Sequence, residues 1–363
     1  MNDVEELREF ALVHARTQQI PPVRYTEVLH RITHDGDGDG SWVGEWSAAA
    51  AATAAGGDLL TASRLYTMAR FPYVDGEPRQ RAQDEARAVF ERWRTENAPE
   101  LRPLTVQSPD GPVHAFSTGG PADRGRPFVI LMGGIISTKE QWAPTLLRLG
   151  RLGIRGVVTE LPGISTGRYR PDSWQLLPQL LDAVADRADT RRTYAMTMSF
   201  SGQLGLRAAL ADRRIKGVAT VGAPLHHAFT DTAWQQRSWP RITVDTLAHL
   251  TGTDAAKVGA HLADWALTPE QLAAVDVPVA YVASRRDEVI PAEDINLLRR
   301  QVRALELLEF DDVHASPRHV GVTAPWLAGA VLRMHGAPPP QRLVLRAVVA
   351  AQRAKAALER RTR

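Results

Sequence analysis

Apolar positions in the first hundred residues recur every three or four places. Leu7, Phe10, Ala11 and His14 fall on one helical face, and Ala52, Ala55, Leu59, Leu60 and Leu65 follow the same spacing further on. Residues 60–70 and 79–94 are the clearest helical runs, and no alternating pattern precedes Leu104. At Leu104 the rhythm changes. Thr105-Val106-Gln107 and Val113-His114-Ala115-Phe116 alternate around the turn Pro109-Asp110-Gly111-Pro112. Phe128-Val129-Ile130-Leu131 is a continuous apolar run, as in a strand covered on both faces. Residues 153–159, 193–198, 217–221 and 277–282 repeat that theme, and helical stretches at 142–152, 173–188 and 201–213 separate them. This alternation predicts an α/β protein with a mostly parallel, doubly covered sheet. Residues 225–274 are longer than a crossover needs, are helical in character and carry Trp234, Trp239 and Trp265. They predict an insertion over the top of the sheet. The expected organisation is a helical cap at 1–103, an α/β core at 104–340 and a basic C-terminal helix at 341–363. In that tail Leu343, Ala347, Ala350, Ala354 and Leu358 form the inner stripe.

Composition narrows the chemistry. The chain has 363 residues and no cysteine, which excludes disulfides, thiol nucleophiles and Cys-ligated metals. The net charge of +3 comes from dispersed residues, with no basic stripe interleaved with aromatics to suggest nucleic acid. The opening Met1-Asn2-Asp3-Val4-Glu5-Glu6 lacks an apolar signal core, and the alanine run at 48–55 is too short to cross a bilayer. The expectation is a cytoplasmic protein without nucleic-acid or membrane partners. Asp35-Gly36-Asp37-Gly38-Asp39-Gly40 has the acids of a calcium loop, but position twelve is Trp46 and the bidentate carboxylate is missing. A solvated loop is expected there, with no metal and no cofactor.

One stretch carries the clearest chemical signal. Residues 194–198 are a strand, Ser199 follows, and a helix-forming run leaves at once. This is the layout of a nucleophile elbow, in which a sharp turn raises a serine hydroxyl above the sheet. Thr197 and Ser201 occupy the places usually held by glycine, and Gly202 comes next. Three other segments supply partners. Gly133-Gly134-Ile135 ends a strand and can aim a backbone N–H at an oxyanion, with the N–H of Phe200 as second donor. Ser137-Thr138-Lys139-Glu140 then has the form of a capping box. Asp287 follows an apolar strand and can hold an imidazole, with Glu288 as a competitor. His314 lies just past the last strand, with His319 as a rival. The order Ser199, Asp287, His314 suits a sheet of this kind.

With these residues in place the chain resembles the α/β-hydrolase superfamily. More narrowly, it is similar to the branch of fermentation–respiration-switch-type esterases and pseudooxynicotine carbon–carbon hydrolases. The likeness covers Gly57, Ala62, Tyr66 and Ala69 in the cap, Gly133-Gly134-x-x-Ser137-x-Lys139-Glu140, Leu161-Pro162-Gly163 with Gly167, and Gly222-Ala223-Pro224. Glu160 stands where an Asp often precedes the Pro-Gly turn. The resemblance implies a Ser-His-Asp triad, a substrate held between cap and core, and a homodimer. It points to cleavage of an ester or β-dicarbonyl bond in a small molecule. The branch also includes lyases that eliminate acetate from O-acetylated tetronates in polyketide antibiotic biosynthesis, which is the second expectation. A catalytically dead binding protein is the third. Tyr66, Tyr73, His226 and Trp234, with Phe71, are the candidates for the substrate wall.

Overall fold

The computed structural model describes residues 2–108 and 110–361, so Met1, Pro109 of the expected turn and Thr362 and Arg363 of the expected tail lie outside the described residues. Five helices come first: α1 (Val4–Thr17), α2 (Pro22–Arg31), α3 (Trp42–Ala55), α4 (Leu59–Ala69) and α5 (Glu77–Asn97). The Asp3 carboxylate caps α1 by accepting from the N–H groups of Glu5 and Glu6. Ser41 caps α3 through the N–H of Gly44. The spacing that runs through residues 52–65 is divided between α3 and α4, because Gly57 (φ 87°) turns the chain into the left-handed region. Trp42 and Trp46 are fully buried among these helices.

The Asp/Gly loop is solvated at Asp37, Gly38 and Asp39, as expected, but not at Asp35. The Asp35 side chain is buried and paired with Arg79 of α5, and its other oxygen accepts from the backbone N–H (2.7 Å) and side-chain Nδ2 (2.8 Å) of Asn2. One carboxylate therefore joins the chain start, the loop and α5. Three donors around it offset the cost of its desolvation.

Eight strands follow: β1 (Arg102–Ser108), β2 (Gly111–Ser117), β3 (Phe128–Met132), β4 (Arg155–Thr159), β5 (Thr193–Thr197), β6 (Ile215–Val221), β7 (Val279–Ser284) and β8 (Leu305–Phe310). They form one sheet in the order β1-β2-β4-β3-β5-β6-β7-β8. β1, β2 and β4 pair antiparallel, and every pairing from β4 through β8 is parallel. The strands β3 and β5 are buried along their whole length, as a doubly covered sheet requires. The main covering helices are α6 (Lys139–Gly150), α7 (Leu176–Ala183) and α8 (Phe200–Ala211). The box opening α6 lies one residue later than expected: the Gln141 side chain accepts from the Thr138 N–H at 2.8 Å. Glu140 is instead buried against Lys139.

The long interval after β6 holds α9 (His227–Thr230), α10 (Thr232–Ser238), α11 (Arg241–Thr251), α12 (Val258–Leu262) and α13 (Pro269–Ala273). Asp294, in the first turn of α14 (Ala292–Gln301), anchors its start by accepting from the N–H groups of Leu225, His226, His227 and Ala228. The chain ends in α15 (Val320–His335) and α16 (Pro339–Arg361). α16 packs on α15 through Leu345, while Leu343, Val344 and Val348 are exposed. The inner stripe is thus rotated from the one expected through Leu343. No helix among the described residues is long and apolar enough to cross a membrane.

The strand–helix junction at Ser199 shows how this chain does without the usual glycines. Helix α8 presses on β6 and the turn after it through Gly202, and on β5 through Gly205. A Cβ on Gly202 would lie 2.5 Å from the Ala223 Cβ, and one on Gly205 would collide with Thr197 Oγ1. The space lost to Thr197 is returned by Gly205, and Ser201 places its hydroxyl 2.9 Å from the Met198 carbonyl. Gly202→Ala should therefore lower stability by about 1–3 kcal/mol in urea denaturation.

Candidate active site

Three loops at the carboxyl ends of the strands meet over the sheet, where ligands bind in folds of this type. The first is the elbow. Ser199 has φ 55° and ψ −132°, a costly conformation for a residue with a Cβ. It is held by its own N–H, which donates to the Val221 carbonyl (2.8 Å), and by the Gly202 N–H donating to its carbonyl (2.7 Å). The turn after β3 lies alongside, and a Cβ on Gly134 would stand 3.0 Å from the Ser199 Cβ. Among the described residues the N–H groups of Ile135 and Phe200 donate to no protein acceptor. Both residues line the cavity into which Ser199 opens.

The second loop follows β7. Asp287 is buried, and its Oδ1 accepts from the N–H groups of Val289 and Ile290, each at 2.9 Å. The third follows β8 and carries His314. A carboxylate can only accept, so His314 Nδ1–H donates to Asp287 Oδ1 (2.9 Å). Nε2 is then left to accept the Ser199 hydroxyl at 2.8 Å. Burial disfavours a charged His314 ring, but the Asp287 carboxylate outweighs it, with Glu288 adding to the effect. The net result lies above the ordinary histidine value. Such a chain of contacts can move a proton from the serine hydroxyl to the imidazole.

The competitors have other duties. Glu288 accepts the backbone N–H of His314 at 3.0 Å. His319 donates from Nδ1 to Asp312 (2.9 Å) and stacks on Phe310, with ring centroids 4.2 Å apart. The Asp312 side chain is fully buried and also accepts from the Val313 and Arg318 N–H groups, so it clamps the loop that presents His314. Ala315 (φ 61°) and Ser316 (φ 51°) are held left-handed there, and Ser316 Oγ meets Ser284 Oγ at 2.7 Å. Nothing in the local sequence pattern announces Asp312 or Ser284, because their partners are set by the fold of the loop.

Ser199 and His314 open into a cavity of about 730 Å³ lined mainly by apolar and aromatic groups, among them Phe10, Ile135 and Trp142. None of the four expected wall residues lines it, and neither does Phe71. Tyr66 is buried in α4. Tyr73 stacks on His249 (4.6 Å), and its hydroxyl donates to Asn2 Oδ1 (3.3 Å). His226 Nδ1 meets the Leu267 carbonyl (2.9 Å), and Trp234 Nε1 donates to the Val289 carbonyl (3.2 Å). Helical spacing marks an aromatic residue but not which neighbour its face meets. Helix α1 supplies the wall residue that was missed. His14 packs its ring on Phe71 (5.1 Å) and lines the cavity. Burial, then Arg70 and His314, lowers its pKa to about 4, so it is neutral at pH 7. Among the described residues neither ring nitrogen has a protein hydrogen-bond partner. Its helical periodicity made it look like core.

Comparison with known proteins agrees with this architecture. The sequence pattern of the family described as "Esterase FrsA-like" matches residues 33–311. Esterase FrsA of Pectobacterium atrosepticum is 27% identical over 286 residues, covering 71% of this chain and 68% of its own. The solved structure of wild-type AbyA5 is 47% identical, covers 96% of this chain and 99% of its own, and superposes with a TM-score of 0.92. The 2,6-dihydroxy-pseudo-oxynicotine hydrolase shares the fold at 18% identity, over 90% of this chain and 97% of its own, with a TM-score of 0.71. With its eight-stranded sheet, elbow and helical N-terminal region, this chain belongs to the FrsA-like esterase family and is an enzyme of the α/β-hydrolase fold.

Proposed function

We propose that this enzyme releases acetate from an O-acetylated small molecule by elimination, using Ser199, His314 and Asp287 to move the proton. The observation that carries the proposal is the hydrogen-bonded chain from Asp287 through His314 to Ser199, opening into an apolar cavity. Elimination is preferred over ester hydrolysis because the chain is far nearer to AbyA5 than to the FrsA esterases. The branch it resembles also includes acetate-eliminating lyases.

The steps balance as follows. Ser199 Oγ takes a proton from the carbon next to the acetoxy-bearing carbon, while its own proton passes to His314 Nε2. The released C–H pair forms the new double bond. The carbon–oxygen bond breaks, and acetate leaves with its electron pair. The N–H groups of Ile135 and Phe200 face the charge that develops on the activating carbonyl oxygen. Asp287 stabilises the imidazolium, which then returns its proton to the departing acetate. Water is not consumed. Neutral His14, on the helical cap, supplies a hydrogen bond to the leaving carboxylate. The same Ser199 could instead attack the acyl carbon and form an acyl-enzyme, which water would then hydrolyse. That is the second reading, and the FrsA relatives support it.

A run with a synthetic 5-acetoxymethyl tetronate in heavy-oxygen water separates the two. Elimination gives an alkene and unlabelled acetate, whereas a labelled acetate and a free alcohol would sink the proposal. Ser199→Ala should reduce turnover by about 10³-fold or more. His314 works as a base and must be neutral, so kcat/KM should rise with pH along a limb centred above the ordinary histidine value of 6.5. Asp287→Asn removes the carboxylate that raises that pKa, leaving burial to lower it. The limb should move to lower pH and the rate fall about 10⁴-fold. His14→Phe keeps the contact with Phe71 and should lower kcat about 10²-fold with little change in KM.

A further inference from the structure

The cavity carries charge that the chemistry at Ser199 does not use. Arg16 in the last turn of α1, Arg64 in α4 and Arg148 in α6 all line it. Among the described residues none of the three has a carboxylate within ion-pair distance. Some arginines elsewhere are answered, as Arg8 is by Glu5 and Arg79 by Asp35 and Asp75, and others are not; what sets these three apart is that they line one cavity. Burial, with Arg148 repelling it and the Asp58 carboxylate opposing the shift, pushes the Arg64 guanidinium below its ordinary value. Burial and then Arg151 do the same to Arg148. Arginine stays protonated regardless. The carboxylate among the described lining residues, Glu288, already accepts the His314 N–H.

Arg148 is also held in place. One of its NH groups donates to Thr145 Oγ1 (2.7 Å) and another to Gln19 Oε1 (3.4 Å), with Gln19 itself in the left-handed conformation at φ 59°. Arg64 is half-buried while Arg16 and Arg148 keep contact with solvent, so the three like charges give one part of the cavity lining a positive field that favours an anion.

Building on the Ser199 chemistry proposed above, we propose that Arg16, Arg64 and Arg148 form a substrate subsite for an organic oxyanion spread over two oxygens, a carboxylate or the enolate of an acidic 1,3-dicarbonyl, carried on an apolar body. The guanidinium fork matches two oxygens in one plane, which a lysine would not. The apolar wall takes the body of the same molecule. The arginines come from two cap helices and one core helix, so an anion binding them also draws those helices together across the cavity.

Calorimetry at pH 7 with three unreactive probes tests this: decanoate, 3-decanoyl-4-hydroxyfuranone as its enolate, and neutral decanamide. The wild type should bind the anions more tightly than the amide, with a preference that weakens as salt is added. Arg64→Gln with Arg148→Gln should cost the anions about tenfold or more in affinity. Decanamide binding should stay the same, which also shows that the variant is folded. The corresponding Lys pair should recover part of the loss. The stronger of the two anions identifies which oxyanion the site is built for. Equal binding of decanoate by wild type and the Gln pair, or no preference for anions over decanamide, would overturn the proposal. Binding is read without turnover, so a failure of the elimination chemistry would leave this result standing.

Discussion

Everything at this site depends on one backbone turn. Ser199 has to sit at φ 55° between β5 and α8, which costs energy for a residue with a side chain, and the surroundings must make any other conformation worse. They do so through the hydrogen bonds of Ser199 to Val221 and Gly202, and through close packing of helix on strand. The usual device is a pair of flanking glycines. Here Thr197 and Ser201 carry side chains, and the clearance comes from Gly202 and Gly205, further along the helix. The constraint is the distance between two backbones, and more than one set of small residues satisfies it.

The helical N-terminal region is tied to the neighbouring turn after β3 by buried charge. Arg70, in the turn after α4, is fully buried and donates to the carbonyl of Pro72 (3.1 Å) and to that of Ile136, next to the oxyanion-donor candidate Ile135. Burial lowers its pKa to about 10, with Glu160 and Glu140 opposing the shift, so it remains charged at pH 7. Nearby, Lys139 lies 2.7 Å from Glu140 and 3.8 Å from Glu160, and its backbone N–H donates to Glu160 at 2.8 Å. Glu160 is thus the acceptor at the start of α6, which gives a structural purpose to an acid that departs from the resembled pattern. Buried charges of this kind add little net stability, but losing one partner is expensive, so they favour a single arrangement of helices over the sheet.

Much of this was legible beforehand. The apolar runs at 128–131, 193–198 and 277–282 read as strands covered on both faces, and the helical runs between them predict a mostly parallel sheet. Ser199, Asp287 and His314 stood out because each follows a strand, in an order that suits the fold. The wall residues did not stand out. Tyr73, His226 and Trp234 find partners within their own neighbourhoods, while His14 and Arg64 reach the cavity from helices whose periodicity says only that one face is buried.

The sequence by itself determined the main elements, their order and the three residues Ser199, His314 and Asp287, because periodicity and strand ends are local properties of the chain. Tertiary structure alone decided which faces of α1, α4 and α6 meet across the cavity, and therefore the neutral His14 and the placing of Arg16, Arg64 and Arg148 along one cavity, with no ion pair among the described residues. It also decided that Asp35 would be a buried anchor and that α16 would turn Leu345 inward. Each of these depends on a neighbour far away in the chain, and the energy of burying a polar or charged group is set by that neighbour and not by the residues beside it.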